Sequence, residues 1–581
     1  MRHLFGKHLG TLSSHLGLWH KALQDRTLLN LARNRSIIAG GVFIMAFFII
    51  VFRLFDLMIM KPGPGVMLAK RNSANDAVFA RADIVDCKGR ILATQVVTAS
   101  VYANPQEIIN VSSAANKLAE LIPGLNKKKL KSKLESNKRF IWVARHVTPK
   151  LQHKIHRLGM PGVYLKQDEK RVYPMGNLTA HIVGFTGVDG QGLAGIERSF
   201  NNRLRVNSAP LALSLDAGVQ HRLHRILADQ IAKHRAKGGY ALVIDLETRE
   251  VRALVSLPDF DPHNLARATS DQLINRATMA CYEHGSIMKA INTAIALECG
   301  GIKFSKLYDA TKPIKVGRYL IKDFRGKNRI LSVPEGFIYS SNIVMVKMAM
   351  DFGGGAVQRR FLRQLNMTVK PQLEVPELAT PLVPSARRWG DSTTMTVSYG
   401  YGVSFSPMTV IDALSSLIKN GEYIPATIIK GGRKGVVPRK IMSSENSRRL
   451  RYLMRLVATH GTGRKANAPY DVIVKTGTAN KAYTGGRRGY NMKERISSCF
   501  SAFPMENPRY VIHIGLDSPQ PTKETYGYAT GGWTAAPAVR RAIEEIAPML
   551  GVAQIVDPED ETVLQRRNPA IKYIRMNHAT R

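Results

Sequence analysis

The chain opens with one long apolar run. Residues Ile37 to Phe52 read IIAGGVFIMAFFIIVF without a charge, and the run continues to Met60, interrupted by Arg53 and Asp56. That total reaches the span of about 20 residues that a bilayer requires. Arg53 can snorkel or pair with Asp56 near an interface. The pattern predicts a single membrane helix over 36–60. A cleavable signal would have a short basic start and a small-residue cleavage site. Here residues 1–35 precede the core and Lys61-Pro62-Gly63-Pro64 follows it, so an uncleaved anchor is expected. The preceding flank carries Arg2, Lys7, Lys21, Arg26, Arg33 and Arg35 against Asp25, which places 1–35 in the cytoplasm and the bulk of the chain outside.

Beyond an exposed Gly/Pro-rich linker from Lys61 to Asp76, residues to 237 alternate short extended runs with turns. Arg81–Asp86 and Arg90–Ala93 flank Cys87-Lys88-Gly89 as a hairpin, and Gly184–Gly192 is a turn-rich segment. The texture changes at Gly238. Gly239–Asp245 and Val251–Leu257 predict strand-turn-strand, and Val472–Lys475, Ile496–Phe503 and Val511–Leu516 predict three later strands. A closing helix over Ala535–Leu550 puts Val539, Ile543, Ile546 and Leu550 on one stripe. Two strands, a helical middle, three strands and a final helix predict an antiparallel sheet with helices on its faces, an α+β fold. The expected organisation is 1–35 cytoplasmic, 36–60 anchor, 61–237 a spacer or docking module, 238–556 a second folded unit and 557–581 tail.

Composition changes this picture little. A chain of 581 residues holds more than one core. Hydrophobic residues at 44% and charged residues at 22% fit globular domains rather than disorder. With 84 Lys+Arg against 43 Asp+Glu the formal charge is +41. The basic residues are scattered, and neither zinc-finger spacing nor an RNA-binding aromatic signature accompanies them, so nucleic acid is not the expected partner. A basic exterior facing anionic lipid or wall polymer is. Cys87, Cys281, Cys299 and Cys499 form no CxxC pair and no metal spacing, and are expected as small buried hydrophobes.

Three short motifs carry chemistry, in order: Ser286-Ile287-Met288-Lys289 (S-x-x-K), Ser340-Ser341-Asn342 (S-x-N) and Lys475-Thr476-Gly477-Thr478 (K-T-G-T). Gly285 permits a sharp entry, and Ile287, Ile291 and Ile295 have helical spacing, so Ser286 sits in a first helical turn with Lys289 one turn on. A serine hydroxyl needs a base, and a lysine serves when burial or positive neighbours depress its pKa. S-x-x-K occurs by chance about twice in such a chain, but K-T-G-T roughly once per hundred chains. Taken singly, Ser286 reads as a helix cap, Ser340 and Asn342 as a turn and Lys475 as a solvated strand end. The ordered set argues against all three readings together. His284, two residues before Ser286 in a turn, is poorly placed for a Ser-His dyad.

The triplet resembles the signature of penicillin-recognising acyltransferases. Arg81–Ala93 resembles the opening of the class B penicillin-binding pedestal, with Cys87 where Arg is usual. Arg171–Pro174, Ala180–Phe185 and Gly195–Glu197 resemble the rest of it; Ser398–Gly402 and Tyr528–Gly532 resemble segments lining a transpeptidase cleft. S-S-N with K-T-G-T is similar to the division-specific subfamily, penicillin-binding protein 3, more than to the elongation-specific one. The resemblance implies an elongated dimerisation or pedestal domain for 61–237 and a transpeptidase domain for 238–556. The latter would be built on a five-stranded antiparallel sheet with helices on both faces, in the periplasm of a bacterial inner-membrane protein that crosses once. It implies a peptidoglycan D,D-transpeptidase in which Ser286 attacks between two D-alanines, Lys289 takes its proton, Ser340 relays a proton and Asn342 holds the peptide. Lys475, Thr476, Gly477 and Thr478 would bind the terminal carboxylate, and the amides of Ser286 and Thr478 the oxyanion. Implied partners are stem peptides on lipid-linked nascent glycan strands, β-lactams, a membrane-embedded glycosyltransferase and other division proteins; no cofactor or metal is implied. His284, Ile287 and Ala290 depart from the usual E-P-G-S-T-x-K-P. Those departures keep a catalytically weak scaffold of the division complex as an alternative, beside an elongation enzyme and a β-lactam-hydrolysing or sensing protein.

Overall fold

The computed structural model describes residues 38–52, 81–317, 319–483, 489–554 and 568–574. The expected cytoplasmic segment, the ends of the expected anchor and the linker lie outside them. Two units divide the chain, one up to Phe79 and one from Ala80 onward. In the first, residues 38–52 are helical and their large apolar side chains are exposed. Among the described residues no helix is long and apolar enough to cross a membrane.

The second unit begins with the expected hairpin. β1 (Ile84–Val85) pairs antiparallel with β2 (Ile91–Ala103), Ile84 opposite Ala93. Gly89 takes a φ of +82° in the turn, and the Asp86 carboxylate accepts from the amides of Lys88 and Arg90. β2 continues well past the hairpin and is flanked by β3 (Ile141–Val147) and β4 (Val163–Val172), while β5 (Leu211–Ala212) runs parallel to β1. Helices α1 (Val111–Leu121), α2 (Lys127–Leu134) and α3 (Pro149–Arg157) cover one face of this sheet through Ala115, Leu118, Leu130, Leu134 and Ile155, packed on Val101, Ala103 and Val143. Asn110, Asn126 and Thr148 cap the three helices with their side chains.

Three distant pedestal segments meet on one carboxylate. Arg81 Nε and Arg171 Nε donate to the two oxygens of Glu197 at 2.6 Å each, and Arg171 also donates to the carbonyls of Arg81 and Ala82. All three side chains are buried. Burial lowers the Arg81 pKa, with Glu197 acting in the opposite direction. Such a buried triad specifies how segments meet more than it stabilises them.

α4 (Ala217–His234) leads into the second sheet. β6 (Gly238–Asp245) and β7 (Val251–Leu257) form the expected pair. The helical middle supplies α5 (Met288–Glu298), a hairpin of β8 (Ile314–Val316) and β9 (Tyr319–Ile321), α6 (Asn342–Asp351), α7 (Pro407–Ile418) and α8 (Ser444–His460). β10 (Ile473–Ala482), β11 (Tyr490–Phe503) and β12 (Tyr510–Asp517) complete a five-stranded antiparallel sheet in the order β10-β11-β12-β6-β7. β10 and β11 run several residues beyond the apolar cores expected from sequence, because ladder hydrogen bonds carry them through polar positions such as Asn480 and Arg495. The last helix, α9 (Ala535–Ile546), stops short of Leu550 because Pro548 cannot continue it, and a 3-10 turn follows.

Strand alternation builds the core. Val243, Val255, Ile512 and Ile514 face α4 and α9, against Leu223, Leu227, Val539 and Ile543. Leu242, Ile244, Phe500 and Val511 join the other layer with Ile291, Ile295, Ile411 and Leu414 of α5 and α7. Within the stretch expected as a tail, residues 568–574 return to this domain: Ala570 is buried, Asn568 Nδ2 donates to the Tyr452 carbonyl and Ser332 Oγ to that of Tyr573. The four cysteines are free. Only Cys499 is a buried hydrophobe; Cys299 is exposed and Cys87 and Cys281 half-buried, since loop and helix-end positions leave them at the rim of the core.

Candidate active site

Ser286 lies in a 3-10 turn, Gly285–Ile287, that runs directly into α5. It caps nothing: no side chain caps either helix start. The turn is instead fixed by backbone packing. Gly285 has a φ of +51°, and a β-carbon there would stand 2.3 Å from the Thr478 carbonyl oxygen, closer than any real contact. Its N–H donates to the Gly400 carbonyl at 3.1 Å. The first and third motifs, and Tyr399-Gly400-Tyr401-Gly402, therefore touch main chain to main chain around the half-buried Ser286. β10 is the edge of the sheet, so one side of K-T-G-T carries no partner strand.

Lys289, on the first turn of α5, is fully buried without a carboxylate contact. Its Nζ donates to the Ser340 carbonyl at 2.5 Å and to Ser340 Oγ at 3.1 Å, rather than to Ser286. Lys475 Nζ reaches the same Ser340 Oγ from the other side at 3.4 Å, and the Thr476 carbonyl at 3.1 Å. Burial drives the Lys289 pKa well below its ordinary 10.5, helped by the Lys475 charge and opposed by Asp323. Burial brings Lys475 down to about 7. Far from being a solvated strand end, Lys475 is among the most buried side chains of the chain. Ser340, between the two amines, has a φ of +58°, an uncommon conformation for a residue with a β-carbon.

Asp323 holds the second motif. Its carboxylate accepts from Ser341 Oγ at 2.7 Å and from the amides of Asn342 and Ile343 at 2.6 and 3.1 Å, at the start of α6. Asn342 Nδ2 donates to the Lys322 carbonyl. On β10, Thr478 Oγ1 accepts from the Gly531 amide at 2.9 Å, and Thr476 Oγ1 pairs with Thr462 Oγ1 at 2.7 Å. Thus Lys289 and Lys475 come together on Ser340, with Ser286 in the turn that enters α5, Asn342 at the start of α6 and Thr476, Gly477 and Thr478 on β10.

Sequence reasoning missed Asp323, Thr462 and Glu283. Glu283 Oε1 accepts from the Gly402 amide and the Tyr490 hydroxyl, and burial raises its pKa. Asp323 and Thr462 stand in no distinctive motif, while Glu283 fills the first position of the E-P-G-S-T-x-K-P pattern, which could have marked it. His284, as expected, is no base for Ser286. Its buried ring gives Nε2 to the Phe405 carbonyl at 3.0 Å, lies 5.8 Å from the His513 ring, and burial depresses its pKa to about 4.

Family descriptions match both halves of the second unit. "Penicillin-binding Protein dimerisation domain" covers residues 77–210 and "Penicillin binding protein transpeptidase domain" covers 239–544. A protein of Caulobacter vibrioides named "Probable peptidoglycan D,D-transpeptidase FtsI" is 35% identical over 487 residues, 81% of this chain and 82% of its own length. The PenA protein of Neisseria gonorrhoeae is 30% identical over 81% of the chain and 85% of its own length, and FtsI of Escherichia coli 28% over 79% and 82%. Penicillin binding protein 3 from Mycobacterium tuberculosis, solved with aztreonam, shares the fold with a TM-score of 0.64 at 21% identity, covering 82% of this chain and 97% of that one. With a matched transpeptidase domain over more than half its length, and two buried amines meeting on Ser340 within that domain, the chain belongs to the penicillin-binding protein transpeptidase family.

Proposed function

We propose that this protein is a serine-acylating peptidoglycan D,D-transpeptidase that cross-links the septal wall. The observation that carries the chemistry is the placement of Ser340 Oγ between two buried amines beside the clamped turn of Ser286. A neutral Lys289 donates two hydrogens to Ser340 and keeps its lone pair for the Ser286 hydroxyl. Ser286 Oγ attacks the carbonyl between the terminal D-alanines as its proton passes to Lys289. The amides of Ser286 and Thr478 hold the oxyanion. Collapse breaks the C–N bond, and the proton returns through Ser340 to the departing D-alanine amine. An amine of a second strand then attacks the acyl-enzyme and releases Ser286. Lys475 in its ammonium form, with Thr476, Gly477 and Thr478, binds the terminal carboxylate, and Asn342 holds the peptide. A β-lactam acylates the same serine and leaves slowly.

The relatives named FtsI and PenA and the S-S-N with K-T-G-T pairing favour division over elongation. The charge-free, exposed helix at 38–52 and the basic flank before it support a single inner-membrane anchor with 1–35 in the cytoplasm and the two-domain unit, pedestal to 237 and catalytic domain from 238, in the periplasm. A membrane-embedded glycosyltransferase and other division proteins are the fitting partners. The test is covalent labelling by a fluorescent penicillin followed by mapping of the modified residue. Label on Ser286, lost in Ser286→Ala, is expected; persistent labelling of that variant refutes the acyl-enzyme reading.

A further inference from the structure

Two segments that hold the second and third motifs are joined at the surface. One is the segment after β9, fixed to the S-S-N motif through Asp323. The other is Tyr528–Gly532, fixed to K-T-G-T through the Gly531 amide on Thr478 Oγ1. Arg325, itself exposed and at a φ of +57°, lays its guanidinium over the Tyr528 ring at 4.5 Å and donates to the Tyr528 hydroxyl. Beyond Tyr528 the ring of Trp533 stacks at 6.1 Å, and Lys465 Nζ lies 4.3 Å over Trp533. Lys327 stands over Tyr339. The carboxylate nearest in sequence, Asp323, is already taken by Ser341, Asn342 and Ile343, so no carboxylate among the described residues contacts Arg325.

We propose that the Arg325–Tyr528 contact is a latch between these two segments that a peptide opens by offering a free carboxylate to Arg325, so that Arg325 selects acidic over amidated stem peptides. The inference rests on the acyl-enzyme reading above. An exposed cation–ring contact shifts an equilibrium by a factor of only about 2–5. A forked guanidinium–carboxylate pair is roughly twice as strong as a neutral hydrogen bond and matches the geometry of the guanidinium. A carboxylate therefore displaces the phenol ring, whereas a carboxamide does not. The surrounding Lys322, Lys327 and Lys465 raise the local concentration of anions.

The experiment compares second-order acylation rate constants for two penicillins that differ only in a side-chain carboxylate or its carboxamide, on the full chain in detergent. The wild type is expected to favour the acid by about fivefold, the ratio for one exposed charge-assisted pair. Arg325→Ala should bring that ratio to about 1 while raising the carboxamide rate about 2–5-fold, by loss of the latch. Tyr528→Ala should raise the carboxamide rate and keep a preference for the acid; Arg325→Lys should keep part of it. An unchanged ratio in Arg325→Ala, or a carboxamide rate that falls in Tyr528→Ala, overturns the latch alone. Failure of both probes to acylate the wild type overturns the acyl-enzyme reading and the latch with it.

Discussion

A buried lysine that must carry charge to do its work is a standing cost to the fold, and Lys475→Met measures it. In the unfolded chain Lys475 titrates near 10.5, and in the folded domain burial brings it to about 7. Between those values the unfolded state binds a proton that the native state has lost, so stability rises with pH across that window. At 1.36 kcal/mol per pH unit, the native domain carries a penalty of about 4 kcal/mol at pH 7, where the native group is half protonated. Methionine removes the penalty at nearly the same length. It also strips Ser340 Oγ and the Thr476 carbonyl of a donor, which costs about 1 kcal/mol. Lys475→Met is therefore expected to stabilise the catalytic domain by about 3 kcal/mol at pH 7 while abolishing acylation. The assay is the thermal midpoint of wild type and variant from pH 7 to 10, read by near-ultraviolet circular dichroism. The variant should melt higher at pH 7, and the gap should close as pH approaches 10. A variant less stable at pH 7, or a gap that does not change with pH, refutes the reasoning.

Gly285→Ala forces a β-carbon into the left-handed region, at about 1–2 kcal/mol, and against the Thr478 carbonyl oxygen. Displacing the turn by a fraction of an ångström should cut penicillin acylation by about 100-fold or more, measured by stopped-flow, with the cooperative melt retained. Glu197→Ala leaves Arg81 and Arg171 buried without their carboxylate and should destabilise the pedestal by about 3–5 kcal/mol. Limited proteolysis should then cut within 81–237 before the catalytic domain is touched; equal protection of the wild type and Glu197→Ala refutes that account.

The sheet pairing and the closing helix were readable because alternation and the Val539–Ile543–Ile546 stripe are local in sequence. K-T-G-T at a strand, and Ser286 with Lys289 at a helix start, were readable because their spacing has a direct geometric meaning. The strand ends were not, because Asn480 and Arg495 sit in the ladder through neighbours that periodicity does not reveal. Nor was the hub at Ser340, where a left-handed serine brings two lysines from elements 186 residues apart onto one hydroxyl. Asp323 was invisible for the same reason: an aspartate in a loop is ordinary until the start of α6 is seen to rest on it. The expected burial of all four cysteines failed because side-chain hydrophobicity alone does not fix position at an element's end.

The strand order also sets a schedule for biogenesis. β6, near the start of the catalytic domain, hydrogen-bonds along its whole length to β12, which is synthesised more than 250 residues later. Until Tyr510–Asp517 has emerged, β6 presents an unpaired edge, the kind of template on which other chains aggregate. A nascent chain therefore carries β6 well before its partner strand is available. Completion of the domain must wait for nearly the last of the polypeptide. A chain that ends between β6 and β12 keeps that edge uncovered, so it is expected to be an adhesive fragment rather than a weaker enzyme.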